Sequence, residues 1–480
     1  MPMETYKMTR ILLINPPDKA ESSTALRLKL PPLGLLYIAA YLEKHGFPVE
    51  VLDANLYDYT CERTAFEASK KSPDIVGVTA TTVTLKSALN VIKAVRRAMP
   101  GVVTMIGGPH VTYMPSETLA ECPELDIVVI GEGEETALEL ARSLEGLSHV
   151  TGRGGLREFI GRISNVRGIA YRDGSGLVRY APPRPLIQDL DSIPFPARHL
   201  VPFEKYVVWD RRESAGMIMT SRGCPFACNY CISSRMAGTK FRGRSAKNVV
   251  DEVQLLHERY GLKGVEFIDD LFMMSHKRAK EIASEIKARG LDILWSASSR
   301  VNTINEELIR ELKKSGLSSL YFGVESGSQR VLDLMNKRIT LEQVRDAFKA
   351  ARNNKIFTIG SFMFGYPGET LDEMNQTIKF SKELKPDIAQ FTILTPYPGT
   401  PLYDELKSSG LIKSNGWDAY TFTEPIIDYE AFGFSGEKVK RMLIKAYMSF
   451  YLRPSYILAH LDTLPVVARV IKNLIKASVA

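Results

Sequence analysis

Apolar positions in the first third of the chain fall into two kinds of run. ILLIN (11–15), VEVLDA (49–54), DIVGVTA (74–80), VVTMIGG (102–108) and DIVVIG (126–131) are short, nearly continuous apolar stretches. That pattern predicts strands buried on both faces. LGLLYIAAYLEKHG (33–46) spaces its apolar residues as a helix does, with Gly46 as a stop, and helical patterns also cover 85–99 and 134–144. Strands alternating with helices predict a parallel, doubly wound α/β sheet over residues 1–150.

Residues 151–206 break the alternation. GIAYRDGSGLVRY reads as a hairpin turning at Gly174 and Gly176, and the Pro-rich stretch after it reads as a connector. From Gly216 the alternation resumes. MIMTSR (217–222), GVEFID (264–269), DILWSA (292–297), SLYFGV (319–324), TIGSFMFG (358–365) and DIAQFTIL (387–394) are strand candidates, separated by helical patterns at 246–259, 277–288, 305–314, 341–353 and 370–384. Strands at roughly 30-residue spacing predict a partial β/α, TIM-like barrel over 207–412. Residues 413–480 read as mostly helical.

Composition narrows the class. Apolar residues make up 45% of the 480 and charged residues 24%, which is ordinary globular usage. The net charge of +7 comes without a concentrated basic patch, so no nucleic-acid partner is expected. The N-terminus lacks a signal-peptide h-region and no stretch is long enough to span a bilayer, so a cytoplasmic location is expected. Near the end, Val466, Val467, Val470, Ile471, Leu474 and Ile475 share one helical face, with Arg469, Lys472 and Lys476 elsewhere. Such a helix either rests peripherally on an anionic membrane or caps the barrel.

Five cysteines are too few for a disulfide scaffold, and three of them, Cys224, Cys228 and Cys231, stand together in GCPFACNYC. Three thiolates spaced C-x3-C-x2-C after a strand suit three irons of a four-iron cluster, leaving the fourth iron open. The alternative is zinc, which normally takes four ligands.

With that motif at the mouth of the first barrel strand, the segment 216–412 resembles the radical S-adenosylmethionine (SAM) superfamily. The resemblance implies a [4Fe-4S] cluster whose open iron chelates SAM and whose reduction yields a 5′-deoxyadenosyl radical. It also implies cofactor contacts from Tyr230, between the last two cysteines, and from Glu325 and Ser326 in GVESG. Arg300, which follows the third barrel strand, is expected as a further cofactor contact, and Asp269 and Asp270 lie in FIDDLF at the end of the second; both are strand C-termini, where barrel sites form. An N-cap pair for the aspartates and a surface ion pair for Arg300 stay open. FGYPGET and TPYPGTPLY are similar to the later turns of that superfamily.

ILLINPP, PPLGLLYIAAYLEKHGFPVEVLDAN, IGGPHVT and GEGEETALEL resemble the Rossmann-like cobalamin-binding domain of the cobalamin-dependent radical SAM enzymes. These include methyltransferases acting on unactivated carbon and the anaerobic magnesium-protoporphyrin ester cyclase. The resemblance implies cofactor contacts at Thr79, Thr81, Gly107, Gly108, His110, Gly131, Glu132 and Gly133, all at or just beyond strand ends; a plain turn role is the alternative at each. The D-x-H-x-x-G motif that supplies a lower histidine ligand in many cobalamin proteins does not occur. Cobalamin without that histidine is therefore expected.

The implied activity is radical methylation of an unactivated carbon in a small-molecule, lipid or peptide substrate, with an electron donor such as ferredoxin or flavodoxin. Oxidative cyclisation or hydroxylation of a tetrapyrrole or lipid is the alternative. A cobalamin- or redox-sensing binding protein with a structural cluster is a reading of another class.

Overall fold

The computed structural model describes residues 8–18, 29–145, 152–206, 216–413 and 416–459, with the backbone alone at 152–157. The chain divides into two compact units at Tyr206/Val207. The amphipathic segment at 466–476 lies outside the described residues.

In the first unit, β1 (Ile11–Asn15), β2 (Val49–Asp53), β3 (Ile75–Thr79), β4 (Val103–Gly107) and β5 (Ile127–Val129) form a parallel sheet in the order β2-β1-β3-β4-β5. Nearly every residue of β1, β3, β4 and β5 is buried, as the continuous apolar runs require. One face packs Ile11, Leu13, Val103 and Ile127 against Leu35, Ala39 and Leu42 of the helix Leu33–Lys44 and Leu138 and Ala141 of the helix Glu134–Ser143. The helix Leu85–Ala98 packs on β3 and β4 and buries Leu89, Ile92 and Val95. This strand order reverses between β1 and β3, and ligand crevices open beside such a reversal.

The segment 152–206 is no separate connector in the structure. β6 (Ile169–Arg172) and β7 (Val178–Tyr180) make the expected hairpin, but β6 pairs antiparallel with β5 and extends the sheet to seven strands. A hairpin edge needs a partner for its backbone groups, and β5 supplies one. Proline-rich composition hid this, because β-pairing over long separations leaves no local trace.

In the second unit, β8 (Met217–Ile218), β11 (Gly264–Phe267), β12 (Leu294–Ser299), β13 (Leu317–Glu325), β14 (Phe357–Phe364) and β15 (Ile388–Ile393) form a six-stranded parallel sheet in sequential order. β9 (Ser221–Arg222) and β10 (Arg242–Gly243) form a small antiparallel pair that brackets the cysteine loop. The large sheet is open, with β8 and β15 as its edges, as a partial barrel requires. Phe267, Trp295, Leu320, Phe322, Phe362 and Phe391 are buried on one face. The residues of opposite parity, among them Glu266, Ser296, Ser298, Tyr321, Ser361, Gln390 and Thr392, are only half-buried or exposed.

The helix Gly436–Tyr451 covers the β15 edge. Tyr447 Oη donates to the Phe391 carbonyl at 3.0 Å and Tyr451 Oη to that of Ala389 at 2.8 Å, while the amides of the same two strand residues donate back to the hydroxyls. Edge-strand groups that would otherwise recruit another chain are thus satisfied.

Candidate cofactor site

The loop carrying Cys224, Cys228 and Cys231 leaves β9 at the C-terminal end of the large sheet, where sites of β/α barrels form. Asp269 fixes its root. This carboxylate is 3% exposed and accepts from the Thr220 amide at 2.5 Å, the Ser221 amide at 3.1 Å and the Ser221 hydroxyl at 2.6 Å, and also from the Thr220 hydroxyl. Asp269 therefore ties β11 to the strand that delivers the cysteines and caps no helix. Asp270 accepts from Ser233 Oγ at 2.7 Å, and Ser233 Oγ lies 3.5 Å from Cys231 Sγ.

The far side of the loop is held by residues 334–338. The Asn229 amide donates to the Met335 carbonyl at 3.1 Å, Asn229 Nδ2 to that of Leu334 at 3.1 Å, and Asn336 Nδ2 to that of Ala227 at 2.7 Å. Asn336 and Arg338 both have positive φ, at 51° and 53°. Left-handed backbone at non-glycine residues concentrates where the surroundings hold it, often at functional sites. Lys337, between them, is buried. Its Nζ donates to Glu325 Oε1 at 2.7 Å and to Tyr230 Oη at 3.2 Å. Glu325 itself has φ 68°, and a Cβ on Gly323 would come within 2.5 Å of its carboxylate. Tyr230 is pushed well above its ordinary pKa, by burial first and then by Glu325.

Arg300 spans both sides. Nη1 donates to Cys228 Sγ at 3.4 Å, Nη2 donates to the Lys337 carbonyl, and the guanidinium lies 3.8 Å over the Phe226 ring. Tyr230, Glu325 and Arg300 thus gather at the cysteine loop, and Arg300 is no surface ion-pair residue. Ser326 is turned the other way. It is fully buried, 3.2 Å from Thr377 Oγ1, and its hydroxyl accepts from the Ser328 amide at 3.1 Å.

The three cysteines form no disulfide. Burial raises the Cys224 and Cys231 thiols, so ionising them there calls for a strong cationic partner. Among the described residues no three His, Cys, Asp or Glu side chains gather as they would around one metal ion. A four-iron cube is gripped at its corners, so thiolates that hold it stand apart around it, and the donor set fits such a group.

In the first unit, Thr79, Gly107 and Gly108, and Gly131 to Gly133 lie at the ends of β3, β4 and β5. Gly108 has φ 116°, and a Cβ there would stand 2.5 Å from the Ala80 carbonyl oxygen, so the β3 and β4 ends meet backbone to backbone. Gly131 has φ 81° with open space where a Cβ would stand, which leaves room for a ligand to approach. Thr81 is exposed and its amide donates to Thr84 Oγ1 at 2.9 Å. Glu132 accepts from the Ile187 amide at 2.7 Å. His110 is 2% exposed, with Nδ1 3.2 Å from Thr82 Oγ1, and burial lowers its pKa to about 4. It is a neutral, hydrogen-bonded histidine inside the unit.

A B12 binding domain model matches residues 24–141, and a radical SAM superfamily model matches 218–381. An uncharacterized methyltransferase of Pyrococcus horikoshii is 42% identical over 453 residues, covering 94% of each chain. The anaerobic magnesium-protoporphyrin IX monomethyl ester cyclase of Rubrivivax gelatinosus is 30% identical over 451 residues, covering 93% of this chain and 78% of that one. The chain belongs to the cobalamin-binding radical SAM family. Its fold matches that of the radical SAM methyltransferase TsrM of Kitasatospora setae, solved with cobalamin and a [4Fe-4S] cluster, with a TM-score of 0.69 over 84% of this chain and 78% of that one, at 22% identity.

Family membership explains the cysteine motif. It does not by itself pick out Lys337, Phe226 or Asn336, which the sequence reading missed. The remaining signal was faint: an NKR tripeptide after a short helix, unremarkable until the fold brings it to the cysteines.

Proposed function

We propose that this chain is a cobalamin-dependent radical SAM methyltransferase acting on an unactivated carbon. The observation that carries the reading is the three-thiol loop at the C-terminal end of a six-stranded parallel sheet, in a chain whose first unit is a doubly wound B12-binding domain. Cys224, Cys228 and Cys231 hold a [4Fe-4S] cluster within 207–412, and residues 1–150 hold cobalamin. When bound, these cofactors with SAM supply a substrate-derived carbon radical and a methyl carrier.

The protein's own part is to bind, orient and exclude water. Asp269 and Asn336 fix the two sides of the cysteine loop. Tyr230 stands beside the cysteines with its hydroxyl held by Lys337, and Glu325 sits ready for the polar end of SAM. Ser326 contributes by anchoring GVESG to the helix Leu371–Leu384 rather than by touching a cofactor. In the first unit, Thr79, Thr81, Gly107, Gly108, Gly131, Glu132 and Gly133 form the rim for cobalamin. His110 is engaged with Thr82, and the chain has no D-x-H-x-x-G histidine to offer to cobalt. The substrate is a small molecule, lipid or peptide, and an external ferredoxin or flavodoxin supplies electrons. Among the described residues no helix is long and apolar enough to cross a membrane.

The cyclase relative, at 30% identity over nearly the whole chain, favours one second reading, in which the substrate radical is oxidised and trapped instead of methylated. Anaerobically reconstituted protein given SAM and dithionite should release 5′-deoxyadenosine and take up about four irons. Cys224→Ala, Cys228→Ala and Cys231→Ala combined should abolish both, while Cys61→Ala and Cys122→Ala change neither. Full iron in the triple variant would defeat the cluster assignment. Absence of 5′-deoxyadenosine would leave a sensor in place of an enzyme. A product heavier by one methyl group separates methylation from cyclisation.

A further inference from the structure

We propose that Arg300 sets the reduction potential of the cluster held by the three cysteines, as a buried positioning cation and not as a ligand. This rests on the reading of the loop as a [4Fe-4S] site.

Arg300 is 6% exposed. A buried guanidinium is costly unless an anion faces it. Three other cations of this chain with hidden side chains meet that need with carboxylates. Arg244 meets Glu252 at 2.5 Å, the half-hidden carboxylates Glu135 and Glu139 flank Arg184, and Lys337 meets Glu325 at 2.7 Å. Arg300 departs from that pattern. Its partners are Cys228 Sγ at 3.4 Å, the Lys337 carbonyl, Asn302 Oδ1 at 3.3 Å and the Phe226 ring at 3.8 Å. Among the described residues no carboxylate pairs with it. The acidic group nearest its Nη1 is a cysteine thiol, so the anion that completes its environment is the thiolate-bound cluster.

The placement is rigid. Arg300 begins the turn after β12, one guanidinium nitrogen is committed to the 335–338 loop, and the plane is supported by Phe226 from the cysteine loop itself. The planar fork and its stacking suit arginine and not lysine. Adding an electron to the cluster makes it more negative. A fixed cation and an N–H···S hydrogen bond favour that state, and hydrogen bonds to sulfur are an established determinant of cluster potential. Arg300 therefore makes the cluster easier to reduce by the external donor.

The test is an anaerobic redox titration of the full-length reconstituted protein, followed by the electron paramagnetic resonance signal of the reduced cluster. Arg300→Gln should shift the midpoint to more negative potential with iron content unchanged, and a smaller fraction should be reduced at a fixed dithionite concentration. Arg330→Gln, which removes an exposed arginine paired with Glu373, should leave the midpoint where it is. An unshifted midpoint in Arg300→Gln with full iron overturns the proposal. Should that variant lose iron, Phe226→Leu decides it: every thiol and the charge remain, only the platform is gone, and the midpoint must again move negative or the proposal fails. A wild-type protein that takes up no four-iron cluster overturns the underlying reading instead, a different result from any of these.

Discussion

The two sheets are both parallel and both made of strands alternating with helices, yet they spend their faces differently. In β1, β3, β4 and β5 nearly every residue is buried, whichever way it points. In β12, β14 and β15 buried and half-buried residues alternate along most of the strand. One face of the second sheet packs on helices through Phe267, Trp295 and Phe322, while the other presents serines, Tyr321, Gln390, Thr392 and Glu266. Barrel interiors are normally filled by branched apolar residues. Hydroxyls in their place do not make a core; they leave a polar wall. Glu266 illustrates it: the side chain is exposed to solvent, yet surrounding protein raises its carboxyl pKa. A doubly wound sheet can offer a ligand only its strand-end turns, whereas an open barrel sheet can offer its strand ends and a face.

The largest test of that contrast is a pair of truncations. Ile106→Ala, in the middle of the first sheet and fully buried, should cost about 2–5 kcal/mol in chemical denaturation. Ser298→Ala on the polar face of the second should stay within about 0.5 kcal/mol. Equal losses would remove the distinction. Next in size is Asp269→Ala. It strands the buried amides of Thr220 and Ser221, each worth about 1–3 kcal/mol when unsatisfied, and should lower both the denaturation midpoint and the iron retained after reconstitution.

The units should also respond to pH with opposite sign. Burial holds His110 at about 4, below its ordinary 6.5, so the folded first unit resists the proton that the unfolded chain accepts. Its contribution to stability is intact above pH 6.5 and is lost as pH falls toward 4. Glu369, in the FGYPGET turn, is pushed up to about 8 by burial, against the amides of Gly365 and Tyr366, which favour its charge. Among the described residues its Oε1 has no hydrogen-bond partner, which suits a protonated carboxyl. Its contribution is intact below pH 4.5 and is lost as pH rises through 8. His110→Gln should flatten the acid limb of the stability profile alone, and Glu369→Gln the alkaline limb alone. A single variant that flattens both would break the assignment.

The smallest effect separates two glycines of the first unit. Both have positive φ, but only Gly108 faces backbone where a Cβ would stand. Gly131→Ala should cost about 1–2 kcal/mol from the left-handed conformation alone, and Gly108→Ala more, as read by thermal denaturation. If Gly131→Ala weakens cobalamin retention in equilibrium dialysis while the protein stays folded, its open side faces the ligand.

Much of this could be read from the chain. Strand positions followed from apolar runs because burial on both faces leaves a local signature. The cysteine loop was legible because its three donors lie within eight positions of one another. The hairpin at 169–180 was legible as a hairpin and not as sheet, since its turn is local while the residues it pairs with in β5 lie 40 to 44 positions upstream. His110 looked able to approach a cofactor because a turn histidine gives no hint of its own burial.

Sequence alone determined the two αβ patterns, the thiol spacing and the family they belong to, because each is written in neighbouring residues. Only the tertiary structure decided what surrounds the thiols. Arg300 reaches Cys228 across 72 residues, and Lys337 reaches Tyr230 across 107. Those meetings are set by the register of parallel strands and by the turn that each strand end feeds. A one-residue slip in such a register would turn the strand residues to the opposite face and displace the turns that carry these side chains, and nothing in the local sequence would record it.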